Sequence, residues 1–340
     1  MVAMLCAMAR PAQSQIVRPQ TYGVGVQVSN GKAVPSVQQL TTVLHPGDFV
    51  RDVLGWQKAD VYCDLLEKES HGIRIPAAMA SLYQNVAAAG GKNFVALGFS
   101  NIHCGQISSS GMRAFPDTPA LRAEFAAYAV GVVRNVPALG ALSLWNELNG
   151  SFNGGIAGKA QKLTRYCLLA NEVIGAVRHV NPDIPIAIGA SQGWDIDGWF
   201  SDLFDKYGCV GKGDPTIWLD VHPYLTGNLV AGTGKNDIQL WQDAVANIRQ
   251  DGISNPLFAS EWGAWAAHKW SLKHRKGDYL DMFKSQIFGR DPNWAGGTWF
   301  ELLHDARVPN AGLFDKYGAL TPLGALYIGD FTARHELSIQ

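Results

Sequence analysis

The sequence predicts an α/β protein, a single (β/α)8 TIM barrel, from its length and from the alternation of two kinds of segment. The chain has 340 residues, a length that suits one large barrel with long loops. Short apolar runs that are typical of buried strands alternate with longer segments of helical periodicity. Eight such pairs predict a parallel sheet that closes on itself, and we expect the barrel to span residues 20–335.

Eight apolar runs are the candidate strands, and helical patterns lie between them. In chain order the runs are Tyr22–Val28, Phe49–Trp56, Asn93–Phe99, Ala141–Glu147, Ile184–Gly189, Thr216–Pro223, Pro256–Glu261 and Gly297–Leu302. The predicted helices include Ala120–Asn135, Lys159–Val180, Asp237–Asp251 and Gly277–Phe288. Thr118 and Pro119 supply an N-cap and a first-turn proline, and Asn181-Pro182 ends the second of these helices.

The alternative fold is an open, doubly wound parallel sheet. That fold would carry a Gly-rich phosphate-binding turn after its first strand, and Val24-Gly25-Val26-Gln27 lacks the required spacing. Two long connections, Asn101–Ala114 and Thr226–Asn236, follow the third and sixth strands. Because loops after strands form the active face of a barrel, these two are candidate cleft walls, with loops of no specific role as the alternative.

Composition excludes several classes of partner. Hydrophobic residues make up 47% of the chain and charged residues 17%, so a large core is easily built. A net charge of −1 leaves no basic footprint, and we expect no nucleic-acid partner. No later stretch has the roughly 20 uninterrupted apolar residues of a membrane span. The sequence does not predict the oligomeric state.

The N-terminus predicts export. Residues 1–15 are interpreted as the remnant of a signal peptide or as a disordered end, because Ala7-Met8-Ala9 has the small-x-small form of a cleavage site. No positively charged segment precedes it. A secreted or periplasmic protein would lose Cys6 on cleavage. The remaining cysteines would then form up to two disulfides by one of three connectivities, from Cys63, Cys104, Cys167 and Cys209.

Polar side chains stand at the C-terminal ends of the predicted strands, where barrel enzymes carry their reacting groups. Glu147 and Glu261 close the fourth and seventh strands, although the chain has only eight Glu. Burial of an unpaired charge is costly, so two carboxylates in such places indicate a function. The further candidates at strand ends are Arg51, Asn101, Asn146, His222, Tyr224 and Trp299. No spacing of metal ligands or cofactor motif is recognisable, and we predict neither a metal nor a cofactor.

Two carboxylic acids facing each other across a cleft are the groups that glycoside cleavage requires. One protonates the leaving oxygen, and the other attacks the anomeric carbon or activates a water molecule. A separation of about 5–5.5 Å gives retention of configuration, and about 6.5–9.5 Å gives inversion. The sequence alone does not supply this distance.

Four motifs together resemble the clan of retaining (β/α)8 glycoside hydrolases that includes families 5 and 39. They are Trp145-Asn146-Glu147, His222-Pro223-Tyr224, Ser260-Glu261-Trp262 and Trp299. The resemblance extends from about Tyr22 to about Ile328, and Val50-Arg51-Asp52 favours the family 39 type. Many members have Pro after the Asn-Glu pair, where this chain has Leu148, a departure that affects a loop more than the chemistry.

The resemblance implies a retaining glycoside hydrolase that cleaves a β-linked oligo- or polysaccharide by double displacement. Glu147 would be the general acid/base, and Glu261 the nucleophile. Asn146 would bond the sugar 2-hydroxyl, a contact that strengthens in the transition state. Asn101 is a candidate substrate contact by its position alone.

The same resemblance implies supporting roles for four other side chains. Tyr224 and Arg51 would keep Glu261 ionised, because a donor or a cation lowers the pKa of a carboxyl group. His222 would bond a sugar hydroxyl or the carboxylates, and Trp299 would form the floor of the sugar site. Structural roles are the alternatives for two of these residues. Arg51 could form an ion pair with a neighbouring acidic residue, and His222 could be a histidine of the core. Outer sugar subsites or core packing are the alternatives for Trp56, Trp262 and Trp265.

Two other functions compete with hydrolysis. A non-catalytic barrel that binds carbohydrate would be favoured by loss of either Glu, and both are present. A barrel isomerase or aldolase would need a Gly-rich phosphate site after the seventh and eighth strands, and often a strand-end Lys. Gly296-Gly297 precedes the predicted eighth strand and does not serve, so the glycoside hydrolase is the favoured hypothesis.

Overall fold

The barrel predicted from the sequence is confirmed. The computed structural model describes residues 20–59, 72–104, 114–150, 156, 158–193, 196, 198–224, 229–263, 280, 282–306 and 311–332. Eight parallel strands, β1 to β8, pair in chain order, and β8 pairs with β1 to close the sheet. The predicted signal segment, residues 1–15, lies outside the described residues, so that interpretation stays a prediction.

All eight predicted strands are present, with ends that shift by three residues or fewer. The strands are β1 Thr21–Gly25, β2 Phe49–Gly55, β3 Lys92–Gly98, β4 Leu139–Leu144, β5 Ile186–Gln192, β6 Ile217–His222, β7 Leu257–Trp262 and β8 Trp294–Trp299. The largest shift is that of β8, whose predicted start at Gly297 lies three residues too late, so that Gly296 lies within the strand.

Helices lie between the strands and cover the outside of the barrel. Their bounds are Val37–Val43, Trp56–Ala59, Ala77–Ala88, Pro119–Asn135, Lys159–Val180, Trp199–Ser201, Asp237–Gln250 and Pro322–Thr332, with π-helical segments at Asp202–Lys206 and Phe283–Phe288. Thr118 caps its helix as predicted, because its side chain accepts a hydrogen bond from the Leu121 N–H. None of the helices in the described part of the chain combines the length with the hydropathy that a membrane span requires.

The inside of the barrel begins with an apolar layer. Ring contacts join Phe94 to Phe258 at 4.9 Å and Trp218 to Phe258 at 5.1 Å between centroids. This layer consists of Phe49, Phe94, Ala141, Ala187, Trp218, Phe258 and Ala295. Side chains alternate along a strand, so residues two positions further on face the same interior one level higher. On β2 and β6 those residues are Arg51 and Asp220, which makes the next layer polar.

Two glycines allow β1 to approach both of its neighbours. A Cβ atom added to Gly23 would lie 1.9 Å from the Phe49 carbonyl oxygen, and one added to Gly296 would lie 1.7 Å from the Thr21 carbonyl oxygen. Gly296 also has a φ of 135°, which side chains rarely adopt. Closure of the barrel at this strand therefore depends on glycine.

One disulfide joins two segments of the layer outside the barrel strands. Cys167, on the helix after β4, is bonded to Cys209, which follows the helical segment after β5. This pairing selects among the three connectivities that the sequence left open, and Cys104 is also disulfide-bonded.

Removing this cross-link is expected to destabilise the fold. The disulfide closes a loop of sequence separation 42, so chain entropy predicts a loss of about 4 kcal/mol in the free energy of unfolding. Denaturant unfolding of Cys167→Ser, Cys209→Ser and the double variant measures it. Each variant removes the same bond, so all three should lose the same amount. Unequal losses would mean that packing of the individual side chains dominates.

Candidate active site

A cavity of about 600 Å³ opens where the C-terminal ends of the strands meet. Its walls come from strand ends and from the turns that follow them, as expected for the active face of a barrel. The lining residues include both candidate carboxylates and three of their predicted partners, Arg51, Asn146, Glu147, Tyr224 and Glu261, together with Val26, Gln27, Ser29, Asn30, Asp52, Val53, Gly55, Gln57, Lys58, Phe99, Ser100, Gln192, Gly193 and Phe300.

Glu147 reaches the cavity through an unusual backbone path after β4. Trp145 has a φ of 72° and Glu147 a φ of 44°, both in the left-handed region that non-glycine residues rarely occupy. The fully buried Trp145 ring anchors this path by packing against Phe115 at 4.7 Å and Phe99 at 5.8 Å between centroids. Strained backbone that surrounding packing enforces is a feature of functional sites.

Glu261 is directed inward by an irregularity in β7. Ala259 pairs with Gly297 but Trp262 pairs with Trp299, so β7 carries one extra residue between these pairs. A bulge of this kind changes the alternation of faces, and it lets Ser260 and Glu261 both point toward the centre of the site. The sequence does not reveal the bulge, because register depends on the neighbouring strand.

The two carboxylates face each other. Oxygen atoms of Glu147 and Glu261 and a ring nitrogen of His222 all lie within 4.8 Å of one another. Glu147 is 8% exposed, and the Glu261 side chain is 13% exposed. The pair is therefore close, nearly buried and still in contact with the cavity.

Arg51 and Tyr224 hold Glu261, as the resemblance implied. The Arg51 guanidinium donates to Glu261 Oε1 and to Asn146 Oδ1, the latter at 2.8 Å. The Tyr224 hydroxyl donates to Glu261 Oε2 at 2.5 Å. Burial by itself raises the pKa of Glu261, but the charges of Arg51 and His222 and these hydrogen bonds outweigh it and lower the pKa. Glu261 is accordingly kept as an anion.

His222 belongs to the carboxylate network. Its Nδ1 lies 3.0 Å from Glu147 Oε1, and its Nε2 lies 3.0 Å from Ser260 Oγ. The side chain is completely buried and does not line the cavity, so the alternative of a direct sugar contact has no geometric support. Burial lowers the pKa of His222, but the charge of Glu261 and the bond to Glu147 outweigh it and raise the pKa.

The predicted placement of Trp299 is wrong. Trp299 is 1% exposed, its indole packs against Trp262 at 4.9 Å between centroids, and its Nε1 donates to the Ala311 carbonyl. Leu257 pairs with Trp294 but Phe258 pairs with Gly296, so β8 carries one extra residue at Ala295. Beyond this residue, the side chains that would have faced the inside of the barrel face outward. Trp299 therefore faces the helices, outside the barrel.

Phe300 takes the place predicted for Trp299. Its ring lines the cavity and meets the Tyr224 ring edge-on at 6.2 Å between centroids. The sequence offered a signal for Phe300, because it follows Trp299 directly and successive side chains along a strand face opposite sides. Trp56 and Trp262 are fully buried in the core, so packing is the role the structure shows for both. Trp265 lies outside the described residues.

Asn101 is buried but does not reach the cavity among the described residues. Its side-chain oxygen accepts a hydrogen bond from the His103 N–H at 3.0 Å, and the turn Ile102–Cys104 follows. The structure thus brings six of the eight predicted site residues together and separates Asn101 and Trp299 from them. Residues 105–113 and 226–228, in the two predicted cleft loops, lie outside the described residues.

Sequence reasoning missed a polar wall formed after β1. Gln27, Ser29 and Asn30 line the cavity there. Ser29 donates its N–H and its hydroxyl to Asp52, at 3.1 and 2.6 Å, and its carbonyl accepts from Lys58 Nζ at 2.5 Å. Burial raises the pKa of Asp52 to about 6. The available signal was the position of these residues in the turn after the first strand.

The cluster that includes both carboxylates is also close enough to hold a metal ion. Glu147, His222 and Glu261 each offer one ligand atom within 4.8 Å of the others. Arg51 already bonds Glu261, and a fixed guanidinium in the same cluster opposes a second cation. The absence of a metal stays a prediction.

Comparison with known proteins points in the same direction as this geometry. Residues 139–294, from β4 to the start of β8, match the family model described as Cellulase (glycosyl hydrolase family 5). Among curated proteins, no sequence matches significantly. The fold is that of a (β/α)8 barrel, and slightly less than half of the chain matches the family 5 model, so the predicted resemblance to the (β/α)8 glycoside hydrolases is confirmed as a similarity.

Several solved glycoside hydrolases share the fold. A family 39 glycoside hydrolase from the gut symbiont Bacteroides cellulosilyticus WH2 has a TM-score of 0.65 at 19% identity, over 92% of this chain and 63% of that chain. An exo-β-1,4-mannosidase from Opitutaceae bacterium strain TAV5 has a TM-score of 0.64 at 15% identity, over 94% and 60%. A monomeric β-xylosidase from Caulobacter crescentus CB15 has a TM-score of 0.61 at 16% identity, over 91% and 67%. This chain thus covers less than two thirds of the first two structures.

Proposed function

We propose that the protein is a retaining glycoside hydrolase that cleaves β-linked oligo- or polysaccharides by double displacement. The observation that carries the proposal is the pair of carboxylates. Oxygen atoms of Glu147 and Glu261 lie within 4.8 Å of each other in a cavity. Oxygens this close support the short separation of retaining enzymes, roughly 5–5.5 Å, over the roughly 6.5–9.5 Å of inverting enzymes.

The surroundings of the two carboxylates support different roles. Arg51 and Tyr224 keep Glu261 ionised and fix its orientation, which is what a nucleophile needs. In the first step Glu261 attacks the anomeric carbon while Glu147 gives its proton to the leaving oxygen. In the second step Glu147 takes a proton from water, and that water releases the sugar from Glu261. The Asn146 oxygen is occupied by Arg51, which leaves the Nδ2 group to donate to a sugar hydroxyl.

The β-linked substrate class is supported by the site and by the similar structures. Gln27, Ser29 and Asn30 offer amide and hydroxyl groups along one wall, and Phe300 offers an apolar face along another. Sugar rings combine these two kinds of surface. Two of the similar structures are described as an exo-β-1,4-mannosidase and a β-xylosidase, which favours a β-linkage here.

The stereochemical outcome tests the proposal directly. The wild-type protein is incubated with a panel of aryl β-glycosides and β-linked oligosaccharides, and ¹H NMR follows the first anomer that forms. We expect the β-anomer first, followed by slow mutarotation. Release of the α-anomer would establish inversion, and binding without turnover across the panel would favour the non-catalytic carbohydrate-binding barrel.

Arg51 is expected to set the acidic limit of activity. Arg51→Gln removes a charge that lowers the pKa of Glu261. Glu261 then gains its proton at a higher pH, so the acidic limb of kcat/KM should move up by about one to three pH units. The pH profile of hydrolysis measures this. Arg165→Gln, at an exposed ion pair with Asp117, is the matched control and should leave the limb in place. An unmoved limb in Arg51→Gln would contradict the role.

Phe300 and Trp299 are neighbours at the end of β8, and we expect their truncation to have different effects. Phe300→Ala removes an apolar wall and should raise KM about tenfold. Trp299→Ala empties a core position and should lower the free energy of unfolding by about 3–5 kcal/mol. Steady-state kinetics and denaturant unfolding separate the two effects. A large KM effect in a folded Trp299 variant, with none at Phe300, would reverse the assignment.

We also propose that the protein is exported to an oxidising compartment. The Cys167–Cys209 disulfide supports this, since such bonds persist outside the reducing cytosol. Fractionation of producing cells, followed by alkylation and mass spectrometry, tests it. We expect the disulfide-bonded form outside the cytosol. A protein that remains cytosolic with free thiols at both positions would refute export.

A further inference from the structure

A buried acid lies directly beneath the carboxylate network. Asp220 follows Trp218 on β6 and precedes His222, so all three share the inner face of the barrel. Trp218 belongs to the apolar layer, His222 contacts Glu147, and Asp220 lies between these levels, fully buried. The mechanism proposed above does not use this carboxylate.

The contacts of Asp220 direct one of its oxygens at His222. Ser143 Oγ donates to Asp220 Oδ2. Among the described residues, Oδ1 has no hydrogen-bond partner, and it lies 3.8 Å from His222 Nε2. The Ser260 hydroxyl lies 3.0 Å from the same Nε2. A buried carboxylate oxygen without a partner is costly, so its position 3.8 Å from an imidazole nitrogen is informative.

The charges around His222 come from four strands. Glu147 of the β4 end bonds Nδ1, Glu261 of β7 lies 3.8 Å from Nδ1, and Asp220 of β6 faces Nε2. Arg51 of β2 is the other cation of the site and is bonded to Glu261. Both ring nitrogens of His222 thus face carboxylates, an arrangement that favours the doubly protonated ring.

Asp220 and His222 support each other as a charged pair. Burial raises the pKa of Asp220 above its ordinary value, and the charges of His222 and Arg51 offset only part of that rise. The charge of Asp220 in turn helps to raise the pKa of His222. Loss of one charge leaves the other buried with weaker compensation, so the two are retained or lost together.

We propose that Asp220 is a positioning residue for the reaction proposed above, holding His222 as the hydrogen-bond donor to Glu147. His222 Nδ1–H then occupies Glu147 Oε1, and the proton that the leaving group receives is carried on Oε2. The inference rests on the proposed function for its kinetic consequence only. The link between Asp220 and His222 is a property of the folded protein that can be measured without turnover.

The first experiment follows the His222 ring by NMR. Protein with ¹⁵N-labelled histidine is titrated, and the His222 signals are assigned by their loss in His222→Gln. In Asp220→Asn the imidazolium should lose its proton at a pH lower by about one unit or more, because a neighbouring negative charge is gone. Asp52→Asn is the matched control, since Asp52 is a buried acid beside Arg51 that bonds Ser29 and not His222. It should leave the His222 titration in place.

The second experiment measures dependence on the leaving group. Aryl glycosides with good leaving groups need little protonation, whereas those with poor leaving groups depend on a well-placed acid. Asp220→Asn should therefore lower kcat/KM on the poor leaving groups about tenfold more than on the good ones. The upper limb of its pH profile should also move down, because the imidazolium that donates to Glu147 loses its proton at a lower pH. A merely structural loss would lower both substrate classes equally and leave the limb in place.

The outcomes are distinguishable. An unchanged His222 titration in folded Asp220→Asn overturns the inference, and so do equal losses on both substrate classes. A shifted His222 titration in a protein that cleaves no glycoside would uphold the pairing and refute the proposed function. If Asp220→Asn does not fold, Asp220→Ser replaces it, because it removes the same charge with a smaller side chain that keeps a polar group beside Ser143. The same shift in the titration is then expected, and its absence overturns the inference.

Discussion

Glu261→Ala should abolish hydrolysis of every glycoside, including those with activated leaving groups. Glu261 forms the covalent bond in the first step, so a better leaving group does not replace it. We expect kcat to fall about 10⁴-fold or more. Stopped assays on dinitrophenyl glycosides measure the residual rate.

Azide then distinguishes the role of Glu261 from that of a general acid. The cavity left by Glu261→Ala admits a small anion on the side from which Glu261 attacks, and azide should give at most the inverted glycosyl azide. Glu172→Ala, on the outer helix Lys159–Val180, controls for the loss of a carboxylate and should behave as wild type. A glycosyl azide of retained configuration from Glu261→Ala would assign the nucleophile to another group.

Glu147→Ala should have an effect that depends on the substrate. Glycosides with poor leaving groups lose the proton donor, and kcat/KM should fall about 10²–10⁴-fold. Dinitrophenyl glycosides need no proton, so the first step should stay fast and the glycosyl-enzyme should accumulate because the base of the second step is missing. Burst kinetics and intact-protein mass spectrometry detect that intermediate.

Rescue by azide completes the test of Glu147. The anion enters where the carboxylate was and attacks the glycosyl-enzyme without needing a base, so turnover should recover with a product of retained configuration. The isosteric Glu147→Gln keeps the space filled and should respond less to azide. Equal losses on good and poor leaving groups, with no rescue in the alanine variant, would remove Glu147 from the acid/base role.

The sequence predicted both carboxylates because each ends an apolar strand, and strand ends in a barrel meet at one face. Arg51 and Tyr224 were found in the same way, and the structure places both against Glu261. His222 was found as well, with two roles left open. These predictions succeed because the hydrophobic periodicity of each short segment indicates whether it forms a strand or a helix.

The pairing of the cysteines is a feature that the local sequence pattern does not predict. Four cysteines allow three connectivities, and spacing does not choose between them. Cys167 and Cys209 meet because a helix of the outer layer packs beside the segment that follows β5. Only the packing of these elements decides that pair.

The ends of β7 and β8 depend on the tertiary structure for a related reason. The sequence by itself determined that eight strands form a barrel and that Glu147 and Glu261 stand at its active face. The tertiary structure decided which neighbour faces inward. An extra residue in β7 directs both Ser260 and Glu261 to the centre, and a register shift in β8 exchanges Trp299 for Phe300. The side-chain period of a strand is two, so a slip of one residue reverses every face beyond it, and that slip is set by hydrogen bonds to the adjacent strand.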